Sequence, residues 1–396
     1  MRHVDNQSEL HMEQQVDVIV IGAGIAGSAC AVQLAGMGHD TVLLDRKAFP
    51  RHKTCGEFMS PETLEMLAYV GVDPFAFQVE PSVMNSAKII MPNGGEIDSA
   101  LPGQAWGISR YELDMMLHQQ AVEAGASIVS KAMVLDIVQL DDHSYRVSVR
   151  QGKEVVHYHA KSVIGAYGTP RPKFVQGVDI DAPLDSEVYV GVKSHYTGIK
   201  TEPRVELYFC EGGYVGISPI EGGEIANVAA LLPLKTVQRI GKSVSEILQA
   251  AAQDNEKLFA RLNEGAPAPG TQVSIAPVRL STVPEPWSIF PHIGDALMVI
   301  PPLCGDGMSV ALRSSMICSA VTDQYLKSEI TYEEWQSEYT LEANHHFGKL
   351  LKRANRIQKL AFAKTNRLYP GAAKLFPSLA SYLVKATRLS EMGIHR

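Results

Sequence analysis

Val16-Asp17-Val18-Ile19-Val20-Ile21-Gly22-Ala23-Gly24-Ile25-Ala26-Gly27 decides how this chain folds. The β-branched apolar run suits a strand buried on both faces, and the G-x-G-x-x-G that follows suits a turn into a helix. Gly22 permits the tight turn and Gly24 lets a phosphate approach the backbone. Gly27 lets strand and helix pack closely, with Ala26 beside it. The helix start then offers unpaired N–H groups and a partial positive charge to the phosphates. A second apolar run, Thr41 to Leu44, ends in Asp45, 18 residues after Gly27 and next to Arg46. That is where a carboxylate accepts hydrogen bonds from an adenosine ribose.

Working outward, 396 residues suit two or three domains, and a composition 45% hydrophobic and 20% charged is that of a globular protein. A net charge of −7 argues against a nucleic-acid binder. The five cysteines (30, 55, 210, 304, 318) show no C-x-x-C pair, so neither a metal centre nor a disulfide framework is expected, which fits a reducing, cytoplasmic setting. Met1 to Gln15 has no apolar core of the signal-peptide kind.

The order of elements predicts an α/β fold. Ser60-Pro61 opens a helix and Ser109 caps another running to about Gly125. Strands are expected at 81–103, turning at Pro92-Asn93-Gly94-Gly95, then at 128–138, 145–149, 155–160 and 163–166. Between 185 and 275, runs at 188–196, 205–209, 213–217 and 225–232 predict a mainly antiparallel sheet closed by a helix over 244–262. A buried strand at 297–300, a helix from Ser309 to about Lys327 and an apolar-faced helical tail from His345 complete the reading.

Three motifs far apart in sequence carry a resemblance: the glycine turn with Asp45, then Arg110-x-x-Leu113-Asp114, then Gly294-Asp295 with Pro301-Pro302-x-x-Gly305-x-Gly307-Met308. With these the chain resembles the flavoprotein monooxygenases of the para-hydroxybenzoate hydroxylase fold, in the branch holding geranylgeranyl reductases and flavin-dependent halogenases. The resemblance implies a discontinuous Rossmann-like FAD-binding domain at 1–80, 104–180 and 276–340. It adds a substrate-binding sheet domain at 81–103 and 181–275 and a helical, basic C-terminal region at 341–396. It implies FAD on Gly22, Gly24, Ala26, Gly27, Asp45 and Arg46 at the adenosine end, and on Cys55, Gly56 and Arg110 further along. Asp295 would take the ribityl hydroxyls, with Pro302, Gly305, Gly307 and Met308 along the ring.

For activity, the resemblance implies a monooxygenase that hydroxylates an aromatic or polyketide-like molecule through a flavin C4a-hydroperoxide, with NAD(P)H as reductant. Reduction of isoprenoid double bonds is the alternative, and halogenation a lesser one. Both tryptophans of the halogenase W-x-W-x-I-P are missing from Tyr214-Val215-Gly216-Ile217-Ser218-Pro219. Tyr167-Gly168 stands where the family often has Asp-Gly, a position linked to FAD and NAD(P)H binding. Tyr214, Cys55 and Pro302 are the catalytic candidates.

Strand alternation pairs Lys193 with His195 and Glu206 with Tyr208, facing either pocket or solvent. From Lys349 to Arg396 there are eleven Lys/Arg against one acid, Glu391. Such a tail can pack on the FAD domain, lie on an anionic membrane or dock an acidic carrier. A lipid-like or carrier-bound substrate follows from the second and third possibilities.

Overall fold

The computed structural model describes residues 13–175, 187–241, 243–363, 365–375 and 388–389. Most of the N-terminal segment and much of the basic tail beyond Leu375 lie outside the described residues. The chain is α/β, built on two sheets with helices between and behind them.

The first sheet holds β1 (Gln14–Ile21), β2 (Thr41–Asp45), β6 (Ser127–Ser130), β7 (Ala132–Gln139), β8 (Tyr145–Gln151) and β9 (Glu154–Gly165) in the order β6-β2-β1-β9-β8-β7. The four strands β6, β2, β1 and β9 are mutually parallel, and β8 and β7 extend them as an antiparallel meander. This is the Rossmann-like half. Against it pack α1 (Ile25–Gly36), α2 (Pro61–Tyr69) and α3 (Arg110–Glu123). All but the last residue of α1 are buried, because α3 flanks it and a late helix covers it.

The second sheet holds β3 (Phe58–Met59), β4 (Ser82–Ile90), β5 (Glu96–Gly107), β10 (Tyr189–Thr197), β11 (Arg204–Cys210), β12 (Gly213–Ile220), β13 (Ile225–Pro233), β14 (Ala266–Pro267) and β15 (Val273–Val278). Its order is β14-β10-β13-β12-β11-β4-β5-β3, with β15 also on β10, and its pairs are antiparallel except β11 with β4. Behind it lie α4 (Leu234–Ile240), α5 (Val244–Gln253) and α6 (Glu256–Leu262). The chain then returns to the first half as α7 (Gly307–Leu326) on α1. The long α8 (Tyr332–Ala361) and short α9 (Tyr369–Leu375) follow.

Four expectations change. The run expected at 128–138 is two strands, β6 and β7, at opposite edges of the sheet and parted by Lys131 at a left-handed φ of +56°. The strands at 155–160 and 163–166 are one, β9. Lys161 points outward to the Asp17 carboxylate at 2.8 Å, and the Ser162 hydroxyl donates to the Asp17 carbonyl at 3.3 Å, so the polar pair does not end the strand. The helix over 244–262 breaks at Asp254-Asn255. Asn255 caps α6, and its amide donates to the Ile90 and Phe209 carbonyls at 3.3 and 3.1 Å, tying the break to two strand ends. Residues 297–300 form no strand. Leu297, Met298 and Ile300 are apolar because they are core, while their backbone bonds the loop at Ser281 and Glu285.

Candidate active site

A single cavity of about 1570 Å³ runs between the two sheets and collects residues from both ends of the chain. Gly22, Gly24, Ala26, Asp45 and Arg46 line it from the N-terminal part of the chain, and Pro302, Gly305, Gly307 and Met308 from the C-terminal part. Cys55, Gly56, Arg110, Tyr214 and Asp295 also line it, so of the fifteen sequence candidates only Gly27 does not. A Cβ on Gly27 would sit 1.9 Å from the Gly22 carbonyl oxygen, so this glycine serves close packing of turn and helix.

At the glycine turn, α1 begins with Gly24 and carries no side-chain cap. Its first N–H groups therefore face the cavity without a side-chain acceptor. Above them stand two cations: the position of a Gly24 Cβ is 3.3 Å from Lys53 Nζ and 3.8 Å from an Arg110 guanidinium nitrogen. Both share one buried carboxylate, Asp114, at 2.7 Å from Lys53 and 2.8 Å from Arg110, leaving one positive charge over. Burial lowers the Lys53 amine to about 8, opposed by Asp114 and assisted by Arg110.

Asp45 is more heavily committed than its position in sequence suggests. One oxygen accepts from Lys47 N–H at 2.8 Å and Arg51 at 2.9 Å; the other accepts from Ala23 N–H at 3.0 Å and Arg51 at 3.1 Å. Four donors fill the usual capacity of a carboxylate. A ribose hydroxyl here must displace Arg51, the only one of the donors on a mobile side chain.

The second helix start is α7. Gly305 takes a left-handed φ of +74°, and Asp306 precedes the helix without capping it. Asp306 is instead bonded to Arg388 at 2.8 Å. Asp295 has a side chain open to the cavity and no hydrogen-bond partner among the described residues. The cavity is itself deep in protein, so burial raises this carboxyl despite the charges of Arg110 and Lys53.

These features fit FAD. An uncapped helix start under a surplus cation suits the pyrophosphate, an unpartnered carboxylate suits ribityl hydroxyls, and a glycine-opened helix start suits the electron-rich edge of a reduced ring.

Sequence reasoning left Lys193 and His195 facing either pocket or solvent and gave Glu57 no role. Glu57 is fully buried in a left-handed conformation, φ +50°, unusual for a side chain of its size. Its carboxylate accepts from Lys193 at 2.8 Å, from His195 at 2.6 Å and from the Arg110 backbone N–H at 2.9 Å. Burial alone would raise this carboxyl, but His195 and Lys193 hold it below its usual range. Lys193 and His195 thus face inward, and the signal for them was two polar residues alternating in an otherwise apolar strand. The neighbouring Cys55 and Gly56 carbonyls accept from Asn227 and Ser218 at 3.1 and 2.9 Å. Since a trans peptide sets N–H opposite C=O, the Gly56 N–H points away from that sheet. Burial raises the Cys55 thiol, so it is held protonated. Such a thiol is a poor nucleophile.

Another part of the lining is apolar: Ile89, Leu207 and Leu231 from the second sheet, Leu303, and Ile357 and Leu360 from α8. Phe209, Tyr214 and Phe362 form an aromatic group with centroids 6.0–6.4 Å apart. Glu206 and Tyr208 face the other way. They bond each other at 2.7 Å and meet Arg261 of α6, so they do not line this cavity.

Comparison with known proteins agrees with this geometry. The sequence model described as FAD binding domain matches residues 15–318. Digeranylgeranylglycerophospholipid reductase 2 of Methanosphaera stadtmanae is 25% identical over 358 residues, covering 87% of each chain. Menaquinone reductase of Mycolicibacterium smegmatis is 27% identical over 337 residues, 78% of this chain and 76% of its own. The solved flavin-dependent brominase Bmp2 superposes with a TM-score of 0.76 at 16% identity, covering 94% of this chain and 93% of its own, a likeness of fold.

Proposed function

The chain belongs to the FAD binding domain family and is an FAD-dependent oxidoreductase, and from that premise we propose that it reduces double bonds in a long isoprenoid-type chain. The observation that carries this reading is the apolar arm between the second sheet and α8, which continues the cofactor end as one cavity. Apolar walls favour an extended hydrocarbon by burying its surface, about 25 cal/mol per Å². The reductase names of two relatives that align along most of their length point the same way.

FAD, when bound and reduced, supplies two electrons to the substrate. Lys53, Arg110 and the start of α1 would hold its pyrophosphate, and Asp295 its ribityl chain. The residues of the arm exclude water and orient the chain. NAD(P)H is the proposed source of electrons.

The test is anaerobic. Enzyme reduced in advance and mixed with a geranylgeranyl-chain lipid yields product heavier by two hydrogens per double bond without O₂. Turnover that appears only with O₂ and adds an oxygen atom overturns the reading. That result would favour the second reading, hydroxylation of an aromatic ring, for which the group of Phe209, Tyr214 and Phe362 would be the platform.

Lipid entry follows from the end of α8. Lys349, Lys352, Arg353, Arg356 and Lys359 are exposed, and no Asp or Glu occurs from Lys349 to Leu375. Leu360 and Leu368 are 56% and 66% exposed, and Leu360 also lines the cavity. Basic side chains around bare leucines at a cavity mouth suit an anionic bilayer. No helix among the described residues is long and apolar enough to cross a membrane, so contact would be peripheral. Co-sedimentation with phosphatidylglycerol vesicles, lost with phosphatidylcholine alone, is the expected result; equal sedimentation with neither lipid refutes it.

A further inference from the structure

His52 is a cavity-lining residue that the reading above leaves without a task. Its Nδ1 lies 3.4 Å from Lys193 Nζ, and its ring stands against His195 at 5.1 Å and Tyr111 at 4.9 Å between centroids. Lys193 is fully buried and ion-paired with Glu57, so it has only N–H to offer. His52 Nδ1 must then be the acceptor, and the ring hydrogen sits on Nε2, which has no hydrogen-bond partner among the described residues. The lysine fixes the tautomer, as second partners of a histidine commonly do.

We propose that His52 is the proton donor to the substrate, with Lys193 and Glu57 as positioning residues that set its tautomer and recharge it. The proposal rests on the reductase reading and deepens it. Reduction of a double bond breaks its π bond and forms two C–H bonds. The two electrons and one hydrogen for the first carbon would come from reduced FAD. The Nε2 proton of His52 goes to the second. As Nε2–H is lost, a Lys193 proton moves to Nδ1, so the imidazole stays neutral throughout and Lys193 ends as an amine beside Glu57. After product leaves, a solvent proton taken up at Nε2 sends the Nδ1 proton back to Lys193, which restores both the starting tautomer and the Lys193 cation.

The surroundings agree on charge. From β10 come Lys193 and His195, from α3 Tyr111, and from the same loop Glu57. Burial and then the charges of Lys193 and His195 lower the His52 imidazole, with Glu57 opposing. A lowered pKa keeps it neutral near pH 7, the form in which one nitrogen accepts and the other donates. While Lys193 is an amine the Glu57 carboxylate keeps two other donors, His195 at 2.6 Å and the Arg110 backbone N–H at 2.9 Å, so it is not left unpartnered.

Two measurements on the FAD-loaded protein decide it. Nitrogen-15 histidine spectra are expected to show His52 neutral with an unprotonated Nδ1. Lys193→Met scrambles that tautomer and Lys193→Arg, which keeps a donor, preserves it. A protonated Nδ1 in the unaltered protein overturns the proposal whether or not any substrate is known. In anaerobic single turnover with a geranylgeranyl-chain lipid, His52→Gln slows the chemical step by roughly 10²–10⁴-fold, the usual span for a lost general acid. Its FAD absorbance and its reduction by dithionite stay as in the parent. A His52→Gln rate within a factor of about two of the parent also overturns it. If the unaltered protein reduces no such lipid, the reductase reading fails, and the tautomer measurement still judges His52 by itself.

Discussion

The two ends of the cavity are built on opposite principles. The cofactor end is polar, made of two helix starts and a few charges, and each group there has a fixed partner or points at a specific atom. The far end is apolar, made of side chains from a sheet face and one helix, and nothing there fixes a particular atom. Directed polar groups fail by single atoms, whereas apolar walls fail by volume. Substitutions at the two ends should therefore differ in kind as well as in size.

The largest effect should come from Gly27→Val. A side chain there meets backbone, and the Gly22 carbonyl has nowhere to retreat. The expected outcome is a destabilisation above about 4 kcal/mol, with colourless or insoluble protein, read by flavin absorbance and thermal unfolding. A soluble, yellow variant would break the claim that the cofactor end tolerates no added atom at this glycine.

Asp295→Ala comes next. Removing a carboxyl acceptor of hydroxyl groups costs about 1.5–3 kcal/mol of binding, so the FAD dissociation constant should rise roughly 10–100-fold in a fluorescence titration. Ala229→Phe tests the other end by narrowing the apolar arm from the sheet side. It should lower kcat/KM for a long-chain lipid by roughly 10–100-fold while FAD affinity holds. If both constants move together, the two ends are not separable.

The smallest effect is a pH dependence. Lys53 has its amine lowered to about 8 in the cavity. Below that pH it is a cation that attracts the pyrophosphate, and above it the attraction fades. FAD affinity should therefore fall several-fold from about pH 7 to 9, because a bound anion raises the amine and binding takes up a proton. Lys53→Met should bind more weakly at pH 7 and lose that slope. An unaltered slope in the variant would remove Lys53 from the site.

Residues that line the polar part of the cavity were legible in the sequence because their chemistry is local. A glycine turn, a carboxylate after the second strand and a glycine pair before a helix each sit within a few residues, so their spacing is visible. The same locality hid Arg51, which binds both oxygens of Asp45. It also misled at 297–300, where an apolar run read as a strand is core packed against a loop. Glu57 was in plain sight beside Cys55 and Gly56, but its meaning depends on Lys193 and His195, more than 130 residues away. No period or spacing joins those positions.

By itself the sequence determined the α/β class, the cofactor turn and the residues able to approach a phosphate, because backbone freedom and helix starts are properties of short stretches. Only the tertiary structure decided which polar residues were enclosed, which pairs shared a proton and how wide the apolar arm is. Burial and charge pairing depend on what lies across the gap, and folding brings that from distant parts of the chain.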